Sequence, residues 1–221
     1  MKPLLIVLKV REIPQCLASY DDALDIIDQV WLCGFKEIEL ESLLVFDGIV
    51  EEAKEKGYTH IMIISDDATI TNAAILEVLR LTDQYGIATG FCRLDYTSKF
   101  VNLSYDPLLD RRPRGLADYH FLKYDKLPDG DFQTTFTGFA LTCMPVEMWQ
   151  KYPFKCVYDG GPHNGSCSDW MLSKRMGADG LKFWTNKTTE VIHEKQQAST
   201  IIGQTLFIGP QYREIIWKKK R

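Results

Sequence analysis

The stretch Tyr58-Thr-His-Ile-Met-Ile-Ile-Ser-Asp-Asp67 decides how this chain reads. Ile61 to Ile64 is a short unbroken apolar run, so it reads as a strand covered on both faces. It ends in Ser65-Asp66-Asp67. Two adjacent carboxylates at the end of a buried strand repel each other unless something cationic sits between or beside them. A hard divalent ion, Mg²⁺ or Mn²⁺, held by one carboxylate and by phosphate oxygens meets that need. The plainer reading is an Asx turn that caps the next helix.

The elements on either side give the pair its setting. Leu4 to Val10 reads as a first buried strand. Leu17, Tyr20, Leu24, Ile27 and Trp31 recur at steps of three and four, with Asp21, Asp22, Asp25 and Asp28 filling the other side, so this segment reads as an amphipathic helix. Phe35 to Leu40 reads as a second strand. Phe46, Ile49, Val50 and Ala53 mark a second helix, stopped by Gly57. Beyond the acidic pair, Ile75, Leu76, Val78 and Leu79 mark a third helix, with Thr71 or Asn72 as cap and Gly86 as stop. Ile87 to Leu94 is a fourth strand. This alternation is an α/β half of the nucleotide-binding type, in which ligands bind outside the carboxyl ends of the strands.

The second part is less regular. Asp95 to Asp131 carries the basic run Arg111, Arg112 and Arg114. Phe136 to Cys143 reads as a strand, and Pro145 as the opening of a helix. A glycine-rich loop from Asp159 to Gly165 precedes a short helix from Asp169 to Met176, closed by Gly177. One more strand lies within Leu181 to Ile192. No repeat or linker divides the chain, so one domain is expected over residues 1–221. Residues 1–95 form its nucleotide-binding half, 96–195 its acceptor and catalytic half, and 196–221 a C-terminal extension.

Composition narrows the function. The 221 residues are 45% hydrophobic, enough for a true core, which excludes a disordered or fibrous chain. Lys and Arg number 26 against 30 Asp and Glu, a net charge of −4 that argues against nucleic acid as a partner. No run approaches the roughly 20 apolar residues of a membrane span. Lys9 and Arg11 cut short the leader-like run Leu4 to Leu8, so a cytoplasmic location is expected. The six cysteines form no C-x-x-C pair, and reduced thiols are the default. A Cys156–Cys167 bridge is left open.

Two further residues could carry chemistry. Asp169 opens a helix whose positive end favours the carboxylate, which suits a general base, and an N-cap is the equally simple alternative. His193 follows Val191-Ile192 at a strand end. Its case as a metal ligand rests on the company of Asp67 and Asp169.

Taken in order, these features resemble the GT-A fold of nucleotide-sugar-dependent glycosyltransferases, over about residues 3 to 195. They are an α/β half ending in an Asp-containing triplet, then Thr137-Gly-Phe-Ala140 followed by Pro145-Val-Glu-Met-Trp149, then Asp169 to Gly177, then His193. The resemblance implies a mostly parallel central sheet, a Mn²⁺ or Mg²⁺ cofactor, a nucleotide-sugar donor and a glycan, lipid-linked or protein acceptor. It implies Asp67 as metal ligand, Asp66 near ribose and phosphate, Asp169 as the base of an inverting transfer and His193 as a further ligand. Lys9, Val10 and Arg11 fall where the base and ribose bind, and Glu41 or Glu39 could face the nucleotide. Ser65 departs from the pattern, since it stands where a strict D-x-D has its first Asp. The loop between Cys156 and Cys167 is expected to close over the donor.

Two other classes use similar parts. A nucleotidyltransferase or metal-dependent phosphohydrolase also places paired Asp at strand ends, but the chain has no G-x-x-x-x-G-K loop and no D-x-D-x-T. A non-catalytic nucleotide-sugar-binding protein would keep the fold without transfer. Finally, Ile215, Ile216 and Trp217 run into Lys218, Lys219, Lys220 and Arg221, a pattern that suits a peripheral membrane contact. Its plainer reading is a solubilising tail with Trp217 packed on the domain.

Overall fold

Leu4 to Val7 are all fully buried because the strand that carries them is covered from both sides. In a strand, successive side chains point to opposite faces. Leu4, Ile6 and Leu8 enter one core with Ile61 and Ile63, and Leu5 and Val7 enter a second with Met62 and Ile64. A computed structural model of the chain describes residues 1–35, 40–94, 99–105, 121–154, 168–194 and 213–221.

The first half runs β1 (Pro3–Lys9), α1 (Pro14–Ala23), β2 (Asp28–Cys33), α2 (Leu40–Glu55), β3 (His60–Ser65), β4 (Ala68–Thr69), α3 (Asn72–Tyr85) and β5 (Ala88–Thr89). The second half runs β6 (Leu103–Ser104), β7 (Phe132–Thr134), β8 (Phe136–Thr137), β9 (Ala140–Pro145), α4 (Val146–Lys151), α5 (Ser168–Ala178), β10 (Phe183–Thr185), β11 (Ile192–His193) and β12 (Glu214–Lys218). An eight-stranded sheet has the order β12-β2-β1-β3-β9-β5-β10-β7. Residues of α1 and α3 fill the core on one face, and residues of α2, α4 and α5 fill the core on the other. The architecture is therefore a three-layer α/β sandwich. Among the described residues no helix is long and apolar enough to cross a membrane.

Several expectations need correction. The sheet is mixed rather than mostly parallel. β1, β2, β3, β5 and β10 share one direction, but β9, β7 and β12 run against their neighbours. The first helix stops at Ala23, and the strand that follows it is Asp28–Cys33; residues 36–39 of the expected strand Phe35 to Leu40 lie outside the described residues, and Leu40 opens α2. The helical spacing of Tyr20, Ile27 and Trp31 arose because a helix and the following strand feed the same core layer. Trp31 packs edge-on against Tyr20, with ring centroids 6.2 Å apart. Gln29 locks the junction: its amide donates to the Tyr20 carbonyl at 2.6 Å and accepts the Trp31 indole N–H at 2.7 Å. At the other end of the chain, Gly177 lies inside α5. The stop is Gly180, whose φ of 76° allows the Leu181 N–H to reach back to the Met176 carbonyl at 3.0 Å.

The cap and stop of α3 are where the sequence put them. Thr71 accepts the Ala74 N–H at 3.1 Å, and Gly86 takes φ 89°. The segment leading into the basic tail, by contrast, is a strand. β12 pairs antiparallel with β2, placing Ile216 opposite Trp31 and Trp217 opposite Val30. Trp217 stacks on Tyr58 at 6.2 Å, and Lys218 lies 3.3 Å over the Trp31 ring. Lys218, Lys219 and Arg221 pair with Asp21, Asp28 and Asp25 at 3.2, 3.2 and 2.9 Å. The acidic face of the expected helix is thus the counter-charge of the tail.

Ending the chain at Arg213 removes this strand and its partly buried Trp217 and Ile216. The expected loss is about 3 kcal/mol, on the scale of one fully buried large apolar side chain. Urea denaturation of the two lengths checks it, and equal midpoints would show that β12 contributes nothing.

Candidate functional site

The geometry starts from the register of two strands. β1 and β3 are parallel neighbours with Leu8 opposite Ser65, so Lys9-Val10-Arg11 and Ser65-Asp66-Asp67 leave the sheet side by side at its carboxyl edge. Arg11 then forks onto Asp66. Its Nε donates to Oδ2 at 3.0 Å, its Nη2 to Oδ1 at 2.5 Å, and its backbone N–H also donates to Oδ2. The same Nη2 stands 2.9 Å from Oδ2 of Asp67.

Asp67 collects three partners. Oδ1 accepts the Ser65 hydroxyl at 3.1 Å, and Oδ2 faces both Arg11 and Nε2 of His193, the latter at 3.2 Å. His193 is delivered by a two-strand pairing. β11 runs antiparallel to β4, with His193 opposite Ala68 and Ile192 opposite Thr69. The Glu194 N–H closes the link on the Asp67 carbonyl at 2.7 Å, and the Glu194 carboxylate accepts the Thr69 hydroxyl at 3.0 Å. The buried Tyr20 hydroxyl spans the acidic turn, 2.8 Å from the carbonyls of both Ser65 and Ala68.

The electrostatics follow from this packing. Burial alone would raise the pKa of Asp67, but the His193 hydrogen bond and the Arg11 charge hold it well below the usual carboxylate range. Burial works against a charged His193, yet the bond to Asp67, with Cys92 beside the ring, pushes it up to about 10. Burial is the largest influence on Asp66 and raises it, against the fork from Arg11. Burial likewise opposes the Arg11 charge, and the Asp66 bond and Asp67 charge outweigh it. The two neighbouring carboxylates are driven in opposite directions.

Arg11, one of the residues expected near base and ribose, pairs with both carboxylates of the acidic pair. Lys9 ends β1 and pairs with Glu12 at 2.8 Å, and Val10 is half-buried beside it. Asp169 lies in the first turn of α5, half-buried. One turn on, Ser173 on the same face meets the Thr137 backbone N–H at 3.4 Å. Thr137 in turn leads through Gly138 to Ala140, the β9 residue that pairs with Ile64. Asp169 therefore belongs to the helix packed against β8, not to the acidic turn itself. The Glu41 side chain, Glu39, the loop from Cys156 to Cys167 and the Arg111, Arg112 and Arg114 run lie outside the described residues.

Sequence reasoning passed over Tyr20, Thr69 and Glu194, which carry no motif. The local signal for the Ser65 contact was present, since a hydroxyl two residues before Asp67 can reach its carboxylate. Among the described residues no group of three or more His, Cys, Asp or Glu is set to hold a metal ion. Asp67 and His193 form a two-ligand pair. The Nδ1 atom of His193 is buried and has no hydrogen-bond partner among the described residues.

No protein-family model matches the chain, and no curated protein does. Among solved structures the chain is similar to one described as the crystal structure of A197 from STIV. Identity is 13% and the TM-score 0.47, over 87% of this chain and 81% of that one.

The Asp67–His193 pair sets a pH dependence for the metal-free protein. His193 is raised from an ordinary 6.5 to about 10, so its contribution is complete below about pH 6.5 and is lost as pH climbs towards 10. Asp67 is depressed, so its contribution is present above the normal carboxylate range and is lost as pH falls below it. In chelator, urea stability should decline between pH 7 and 10 by on the order of 3 kcal/mol. His193→Gln should flatten that alkaline limb, and a wild-type curve already flat there would remove the ion pair.

Proposed function

We propose that this protein is a metal-dependent glycosyltransferase of the GT-A type, moving a sugar from a nucleotide-sugar donor to an acceptor hydroxyl with inversion. One observation carries the reading. Three separated segments bring Arg11, Asp66, Asp67 and His193 together at the carboxyl edge of an α/β sheet, where such sheets bind nucleotides.

The residues fit a divalent ion. Asp67 Oδ2 and His193 Nε2 are 3.2 Å apart. Adjacent ligands of an octahedral ion with bonds of about 2.1 Å stand about 3.0 Å apart. A mixed imidazole and carboxylate pair suits Mn²⁺ better than Mg²⁺. Two protein ligands leave the remaining positions to water and donor phosphates, as is common for such ions. Bound there, the ion would neutralise charge on the departing nucleoside diphosphate.

The chain's own residues do the rest. Asp67 and His193 would hold the ion. Asp66 fixes Arg11, and Arg11 supplies a permanent positive charge where the leaving group gains negative charge. Asp169 would take the proton of the acceptor hydroxyl as that oxygen bonds to the anomeric carbon and the bond to the diphosphate breaks. A glycan, lipid-linked or protein hydroxyl would serve as acceptor. The internal neutralisation of the acidic pair favours a second reading, a nucleotide-sugar-binding protein without transfer, and turnover separates the two.

Thermal shift against UDP-, GDP-, CMP- and dTDP-sugars with Mn²⁺ tests donor binding. A ligand at a hundredfold excess over Kd stabilises by about 2.7 kcal/mol. Asp67→Asn should abolish the metal-dependent shift and remain folded, and an unchanged shift would exclude Asp67 as a ligand. Asp169→Asn should bind donor as wild type and lower turnover by roughly 10² to 10⁴. Unchanged turnover in this variant would remove Asp169 from the chemistry.

A further inference from the structure

We propose that Arg11, anchored on Asp66, receives the diphosphate of the ligand, and that its Nη2 contact with Asp67 holds the place of a divalent ion until ion and diphosphate bind together. The inference rests on the metal–diphosphate reading above and assigns Arg11 a role within it.

The donor inventory is the first support. A guanidinium has five N–H donors in a fixed fork. Nε and one N–H of Nη2 serve Asp66, and Nη2 also stands 2.9 Å from Asp67 as an ion-pair contact. Nη1 makes no hydrogen bond among the described residues, although the side chain is about three-quarters buried. Arg11 is thus fixed at one end and has a pair of donors to spare at the other, the arrangement that planar recognition of phosphate oxygens uses.

The second support is the inequality of its two contacts. Asp66 is held by three N–H groups of Arg11 and is only 6% exposed, so releasing Arg11 from it would strand a buried carboxylate. The Asp67 contact is a single ion-pair approach, and Asp67 keeps Ser65 and His193 without it. Only the second contact can be given up cheaply. It lies on Oδ2, the same oxygen that faces His193 and would bind an ion.

Charge then couples the two ligands. An ion arriving alone meets a permanent positive charge 2.9 Å from the oxygen it needs. A diphosphate arriving alone meets two buried carboxylates. Together the ion satisfies Asp67 and the diphosphate satisfies Arg11, so each lowers the cost of binding the other. Asp66 is accordingly a positioning residue.

The test measures binding of inorganic pyrophosphate and Mn²⁺ to the full chain by calorimetry, with no sugar present. Wild type should bind pyrophosphate at least tenfold more tightly with Mn²⁺ than in chelator. Arg11→Gln should bind Mn²⁺ alone several-fold more tightly than wild type and bind pyrophosphate with Mn²⁺ at least tenfold more weakly. Arg11→Lys keeps the charge and guards against a folding defect. It too should lose tenfold in the presence of Mn²⁺, because an ammonium cannot span Asp66 and a phosphate at once. Unchanged Mn²⁺–pyrophosphate affinity in Arg11→Lys overturns the role of Arg11 alone. A wild-type protein that binds pyrophosphate equally with Mn²⁺ and with chelator overturns the metal–diphosphate reading together with it.

Discussion

Burying two neighbouring carboxylates is costly unless cations come with them, and the arrangement around Asp66 and Asp67 answers that constraint. Neither cation is close in sequence. Arg11 comes from the exit of β1 and His193 from β11. The parallel register of β1 and β3 brings in the first, and the β4–β11 pairing brings in the second. Tyr20 in α1 braces the turn between them. Loss of any of these placements would leave charge uncompensated in a part of the molecule with little access to water.

The same arrangement divides labour between adjacent residues of one type. Asp66 spends both oxygens on a single fork and is tied to the fold. Asp67 distributes its oxygens over a hydroxyl, an imidazole and one arm of the guanidinium, so its environment can be rearranged piecemeal. These surroundings accordingly push the two carboxylates in opposite directions, Asp66 up and Asp67 down.

What was legible in the sequence depended on range. β1, β3 and the capped α3 rest on local patterns: an apolar run, a Thr cap and a stopping Gly. The acidic turn and His193 were legible as neighbours because each sits at the end of a strand. The α1–β2 boundary was misread because Tyr20, Ile27 and Trp31 share one core layer across two elements, and periodicity alone cannot separate that from one long helix. The partnership of Arg11 with Asp66 spans 55 positions and depends on strand register, which no local pattern states. Charge complementarity between Asp21, Asp25, Asp28 and the basic tail was visible in composition but not as a pairing, since the intervening residues carry no signal of where β12 returns.

That return has a consequence for how the molecule is made. β2 is synthesised about 180 residues ahead of its outer neighbour, which is built from residues 214–218. Until those residues exist, Val30 to Cys33 present an apolar strand with one unpaired edge, the kind of surface on which incomplete chains join one another. Adding this outermost strand requires a contact of very high sequence separation, a kind of pairing that forms slowly. Lys218, Lys219 and Arg221 meet Asp21, Asp28 and Asp25 beside β2, so this pairing joins opposite charges as well as strand edges. The tail thereby covers the apolar edge of β2 and puts a strand ending in cations at the rim of the sheet.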